Sequence, residues 1–212
     1  AGTPTSAFLA NIYLREVDRH FAEAGVLYAR YSDDIILFAP DRQTLDRHIG
    51  QLNAFLLKYR LEVNPSKVRV YQPGEAFDFL GIKCKGHDID ISDATRRKMK
   101  QKIRRKARSL ERWHSLKGVD GEKAMKVLVR HFNRKFFEGD DPSALTWARW
   151  FFPIVNQTEG LREIDHCLQY NLRFVATGRH NKANYRISYA QLKQLGYRSL
   201  VHEFYSATSD IS

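Results

Sequence analysis

Two short apolar runs, residues 26–31 (VLYARY) and 35–39 (IILFA), are separated by only three residues, Ser32-Asp33-Asp34. Both runs are rich in β-branched, aromatic and aliphatic side chains and predict strands. A link this short closes only as a tight hairpin. The chain must therefore hold an antiparallel strand pair with Asp33 and Asp34 side by side at its tip. Hairpin turns favour Asn-Gly or Asp-Gly, which tolerate positive φ cheaply. Ser32-Asp33 is a poor choice for stability, and Ser32 is the expected strained residue. A locally unfavourable choice of this kind marks a candidate functional site.

Two neighbouring carboxylates repel unless a cation lies between them. Mg²⁺ prefers hard oxygen ligands, usually one or two carboxylates together with substrate phosphates. Pairs of such ions clamp the attacking and leaving oxygens of an in-line phosphoryl displacement. The plain alternative is a surface turn that happens to carry two acids. Against it, the acids are mounted on two apolar strands, which give a rigid support.

Tyr31-Ser32-Asp33-Asp34 resembles the active-site box of reverse transcriptases, and further segments agree in the expected order. Gly2-Thr3-Pro4-Thr5-Ser6, followed by Phe8-Leu9-Ala10-Asn11-Ile12-Tyr13-Leu14, resembles the family's Gly-x-Pro-x-Ser turn and the helix behind it. Asn64-Pro65-Ser66-Lys67 resembles the Asn…Lys segment after the palm helix, and Phe79-Leu80-Gly81 the primer-grip strand. The style is closest to bacterial enzymes of the group II intron, retron and defence-associated kind. Ala1 stands where the family often has Gln.

The resemblance implies RNA-directed DNA polymerisation, with an RNA template, a DNA primer or product, and dNTPs as partners. It implies Mg²⁺, two ions in the complete site, with Mn²⁺ as a substitute. Asp33 and Asp34 become metal ligands, Asp33 the firmer. Lys67 would neutralise the leaving pyrophosphate; its alternative is a surface lysine after a turn. Gly2 and Pro4 would shape the backbone near the nascent base pair, although helix-start chemistry needs the same residues. Tyr31 and Ser32 would lie near the nucleotide and primer, with simple packing the alternative for Tyr31. Gly81 would let a primer phosphate approach the backbone closely, or else mark a β-bulge. The family's palm also needs a third carboxylate and fingers from a segment preceding Gly2, in cis or in trans; the 212 residues are expected to lack both.

The charge is uneven. Residues 1–91 hold 11 Lys or Arg and 12 Asp or Glu, whereas the remainder holds 24 and 12, so the whole excess of the +11 chain lies after residue 91. Such asymmetry points to a polyanionic partner. Residues 96–108 alone contain nine Lys or Arg and no acid. Met99, Ile103, Ala107 and Leu110 recur there at helical spacing, which leaves one narrow packing stripe on a cationic rod. A solvated face normally mixes charge signs in i,i+4 pairs. Nine like charges call for an external anion, and Arg96, Arg97, Lys100, Arg104, Arg105 and Arg108 are the candidate phosphate contacts.

These patterns predict an α+β chain: residues 1–91 as the C-terminal part of a polymerase palm with antiparallel strands and helices, and 92–212 as a mainly α-helical, basic thumb with a C-terminal extension. A first helix runs from Thr3 or Thr5 to Gly25, and Asp41 caps a second with Leu45, Ile49, Leu52, Leu56 and Tyr59 along it. Residues 61–63, 68–71 and 77–82 read as strands. Later come a helix over 122–137, a helix start at Asp141-Pro142, and a helix capped by Thr158. A Ser188…Gln191 capping box follows. Trp147, Trp150, Phe151 and Phe152 are expected in the core. Cys84 and Cys167 match no metal spacing and read as reduced thiols of a cytoplasmic protein. No apolar run approaches the ~20 residues of a membrane span, so no membrane partner is expected. Two rivals remain open: a non-catalytic, maturase-like RNA-binding scaffold, and a phage-defence (antiviral) polymerase with non-standard priming.

Overall fold

The computed structural model describes residues 4–141 and 144–209. The chain divides into two compact units, residues 1–73 and 74–212. The change of charge at Ser92 thus falls inside the second unit. The architecture is mixed helix and antiparallel sheet, as expected for an α+β chain.

In the first unit, the expected opening helix is split into α1 (Pro4–Tyr13) and α2 (Arg15–Glu23). Leu14 breaks the run with φ −97° and ψ 8°, yet still donates to the Ala10 carbonyl at 3.1 Å. Only the second of the two helices has its apolar side covered. Val17 and Phe21 are fully buried, whereas Phe8, Leu9, Ile12 and Tyr13 are exposed. Strands β1 (Tyr28–Tyr31) and β2 (Asp34–Leu37) form the predicted hairpin, pairing Tyr28 with Leu37 and Tyr31 with Asp34. Helix α3 (Arg42–Lys58) starts at Asp41, whose carboxylate accepts from the Thr44 amide at 2.7 Å. Leu14, Val17, Phe21 and Leu56 make a small core, with Tyr28, Leu52, Phe55 and Tyr59 packed around it.

Residues 61–63 and 68–71 are not strands. They run as exposed irregular chain on either side of a 3₁₀ turn, Pro65–Lys67. Their alternating apolar residues mimic a strand, but no described strand pairs with them, and a strand needs a partner for its amides and carbonyls. Asn64 starts the turn by accepting from the Ser66 amide at 3.0 Å and its hydroxyl at 2.8 Å.

The second unit opens with a three-stranded antiparallel meander of β3 (Phe77–Phe79), β4 (Ile82–Lys85) and β5 (Asp88–Ile91). The single strand expected over 77–82 is in fact a hairpin. Leu80 and Gly81 both take positive φ (48° and 86°), the sign pattern of a type I′ turn, and Phe79 pairs with Ile82 across it. Gly81 is neither a bulge nor a strand residue. A Cβ there would lie 2.9 Å from the Thr95 hydroxyl, so the turn fits only because glycine lets it approach.

Helix α4 (Asp93–Lys117) is capped by the Ser92 hydroxyl and buries the predicted stripe of Met99, Ile103, Ala107 and Leu110. It packs against α5 (Gly121–Asn133) and α7 (Glu159–Thr177). A π-helical turn, Arg134–Glu138, follows α5 where a continuous helix was expected. Pro142 of the expected helix start lies outside the described residues. Short helix α6 (Trp147–Phe151) begins instead at Thr146, whose hydroxyl accepts from the Arg149 amide. Phe151 is buried, and Trp147, Trp150 and Phe152 pack on the core, as expected. Thr158 precedes α7 without a side-chain cap. Asp90 of β5 supplies the acceptor, at 3.0 Å from the Gly160 amide. Helices α8 (Tyr189–Gln194) and α9 (Leu200–Ser209) close the unit, α8 through the predicted Ser188–Gln191 capping box. Buried Asp165 holds the start of α9 by accepting from the Leu200 and Val201 amides at 2.9 and 3.1 Å, and from the Tyr197 and Ser199 hydroxyls.

Candidate active site and basic face

The hairpin turn is where the sequence concentrates its candidate chemistry. Ser32 and Asp33 are its two central residues, and Asp34 is the first residue of β2. Ser32 takes φ 58°, while Asp33 is not in the positive region. A positive φ at the first central position has the sign pattern of a type II′ turn, where glycine is the low-cost residue. The predicted strain therefore sits on Ser32. Asp33 and Asp34 are both exposed and make no ion pair among the described residues. Tyr31 is 58 % exposed, so it does not serve as a core aromatic.

Arg30 holds this turn. Its Nε and Nη2 donate to the two carboxylate oxygens of Asp18 on α2, at 2.8 and 2.6 Å. Its Nη1 donates to the Ser32 carbonyl at 3.0 Å and to Asn11 Oδ1 on α1 at 3.3 Å. The Tyr28 hydroxyl completes the set by donating to Asp18 at 2.9 Å. The Arg30 side chain is only 4 % exposed. One guanidinium thus ties both opening helices to the backbone between Tyr31 and Asp33. The hydrogen bonds from Arg30 hold the Asp18 carboxyl below its ordinary range, and burial pushes the Tyr28 phenol up. Neither Asp18 nor Arg30 stands out in the sequence. The available signal was a lone cation on the inward side of a short strand, which requires an acid.

The donor chemistry of the turn suits a hard cation, since two exposed carboxylates offer oxygens with no ion pair among the described residues. Among the described residues no group of three or more His, Cys, Asp or Glu could hold a metal by itself. Lys67 ends the exposed 3₁₀ turn, and no described acid pairs with it. Pro4 is the first residue of α1, and Gly2 lies outside the described residues. Phe79, Leu80 and Gly81 belong to the other compact unit, as the end of β3 and its turn.

The basic face lies on α4. Its nine cations are not all alike, which corrects the expectation that each needs an external anion. Arg96 and Lys100 are bound to Glu163 of α7 at 2.9 and 2.6 Å, and Arg96 also pairs with Asp93. Glu163 was invisible as a partner because it lies far along the chain. Arg97, Arg104, Arg105 and Arg108 remain exposed, and none forms an ion pair among the described residues. They leave like charge exposed along the helix, Arg104 and Arg108 beside α7 and Arg105 on the α5 side.

Residues 1–84 match the family model described as reverse transcriptase (RNA-dependent DNA polymerase). The match spans the Asp33-Asp34 hairpin, Lys67 and Phe79-Leu80-Gly81, and ends within β4. This supports a reverse transcriptase for that part of the chain. The cationic helix lies beyond it. No curated protein matches the chain. Among the described residues no helix is long and apolar enough to cross a membrane.

Proposed function

We propose that this chain carries part of a bacterial reverse transcriptase, with residues 1–91 contributing to the palm and residues 92–212 forming a basic, helical thumb. The reaction is nucleotidyl transfer, in which a primer 3′-hydroxyl attacks the α-phosphate of a dNTP on an RNA template. The observation that carries this reading is the pair of open carboxylates, Asp33 and Asp34, on a strained turn fixed by Arg30. Asp33 and Asp34 would hold Mg²⁺, which when bound neutralises charge developing on the transferred phosphate. The reading calls for a third carboxylate and the fingers from an upstream segment, in cis or in trans. Lys67 offers a cation for the leaving pyrophosphate. The exposed cations of α4 offer sequence-independent contacts to the nucleic-acid backbone. Its setting would be the cytoplasm, where Cys84 and Cys167 stay reduced.

The test is Asp33→Ala in the complete protein, assayed by primer extension. The variant should melt like the parent, because the side chain is exposed and unpaired. It should lose extension by several orders of magnitude, and retention of more than about a tenth of the activity would overturn the assignment. A non-catalytic RNA-binding scaffold is the second reading, favoured by the row of unpaired cations on α4. It predicts binding without extension in the parent protein as well.

A further inference from the structure

Helices α4 and α7 leave an open cleft of about 680 Å³ within the second unit, in the size range of sites for small organic ligands. Its walls differ in character. One wall carries Arg104 and Arg108, one turn apart on α4 and both exposed. The other carries Tyr170 and Arg173 of α7, with His180 and Tyr185 from the segment that follows.

Arg173 is the unusual member. It is only 9 % exposed, yet it has no carboxylate partner among the described residues. Its Nε donates to the Ile187 carbonyl at 2.8 Å, and its guanidinium lies 5.6 Å from the centre of the Tyr185 ring. A guanidinium withdrawn from water without an acid is costly. The one acid on the cleft, Glu163, is already taken by Arg96 and Lys100. Three guanidinium groups therefore line one cleft with no internal anion left for them. Planar, bidentate donors of this type suit phosphate oxygens.

The aromatic groups supply the second half of the site. His180 stacks on Phe174 at 4.2 Å and 7° between planes, and is held by a 2.8 Å hydrogen bond with the Tyr170 hydroxyl. Tyr185 is 68 % exposed, with one side directed to Arg173. An exposed ring beside clustered cations is the pairing that binds an unpaired base and its phosphate together.

We infer that this cleft binds a single nucleoside monophosphate, its phosphate on Arg104, Arg108 and Arg173 and its base against Tyr185. The ligand is either a free nucleotide or the 5′-phosphorylated end of a strand. This site is independent of Asp33 and Asp34, and differs from backbone contact along α4 because it requires a base and a phosphate at once.

The test is calorimetric titration of the 212-residue chain with deoxyadenosine 5′-monophosphate, deoxyadenosine and inorganic phosphate. The monophosphate should bind at least about tenfold more tightly than either fragment. Tyr185→Ala and Arg173→Lys should each weaken it at least about fivefold, the loss of one stacked base or one bidentate contact. Arg97→Gln, on α4 but outside the cleft lining, should leave it unchanged, and so should Asp33→Ala, which separates this site from the polymerase reading. A 5′-phosphorylated tetranucleotide that outcompetes its 5′-hydroxyl form assigns the site to a strand end; equal binding of the two assigns it to free nucleotide. Equal affinity for phosphate alone, or equal losses from Arg97→Gln and Tyr185→Ala, would overturn the inference. Should Arg173→Lys unfold the chain, the exposed Tyr185→Ala variant decides the matter alone.

Discussion

Arg30 grips both oxygens of Asp18 with two nitrogens and uses the third to hold the Ser32 carbonyl. The strained turn is therefore fixed from behind by a pair that never touches the two exposed acids. Arg30→Ala should cost about 2–3 kcal/mol in urea unfolding, because it strands a carboxylate and releases the turn together. Arg30→Lys keeps the charge but not the fork, and should recover only part of that loss. A loss under about 0.5 kcal/mol for Arg30→Ala would show that the turn is held by its own strands.

The same pair gives stability a pH dependence. The Asp18 carboxyl is held below its ordinary value, chiefly by hydrogen bonds from Arg30. The unfolded chain therefore binds the proton more readily than the folded one. This contribution is complete above the unfolded value of about 3.9 and fades as pH falls through the lower folded value. Asp18→Asn should be less stable than the parent at neutral pH, and the gap should narrow in urea melts taken below about pH 4. A gap that stays constant down to acid pH would refute the coupling.

The cations of α4 fall into two classes that salt titration should separate. Replacing Arg97, Arg104 and Arg105 with Gln should reduce the salt dependence of nucleic-acid binding by about 0.7–0.9 log units per lost contact. The loss should be equal for unrelated sequences, with the fold intact. Glu163→Gln should act the other way. It frees Lys100, leaves Arg96 on Asp93 alone, and should lower the melting temperature of the second unit while leaving the salt slope as steep or steeper.

Gly81→Ala tests the β3–β4 turn. The new methyl would sit 2.9 Å from the Thr95 hydroxyl on a backbone with φ 86°. Such a residue is strained by its backbone alone, and a loss of about 1–3 kcal/mol is expected in thermal or urea melts. Thr95→Ala in the same chain should return part of it by removing the clash.

The hairpin, the Asp41 and Ser92 caps, the buried stripe of α4 and the Ser188 capping box were legible because each depends on neighbours a few residues away. Partners distant in the chain were not. Nothing near Arg30 names Asp18, and nothing near Arg96 names Glu163, 67 residues on. The apolar run at 77–82 hid a turn because Leu80 is an uncommon choice for positive φ, so only Gly81 hinted at it. Residues 61–63 and 68–71 misled in the opposite sense, having strand-like composition without a strand beside them. At the candidate site, the two acids were evident from the sequence, and the scaffold behind them was not.

Helix α4 is an unbroken rod of 25 residues, clamped near its start by Glu163. At 1.5 Å per residue, its exposed cations from Arg97 to Arg108 span about 16 Å. That is roughly the rise of five nucleotide steps at 3.4 Å each. Because the rod has no hinge, its charges cannot spread to follow a longer strand or gather on a shorter one. If it serves as the proposed thumb helix, it would act as a ruler, with a footprint of about five nucleotide steps set before any sequence is met.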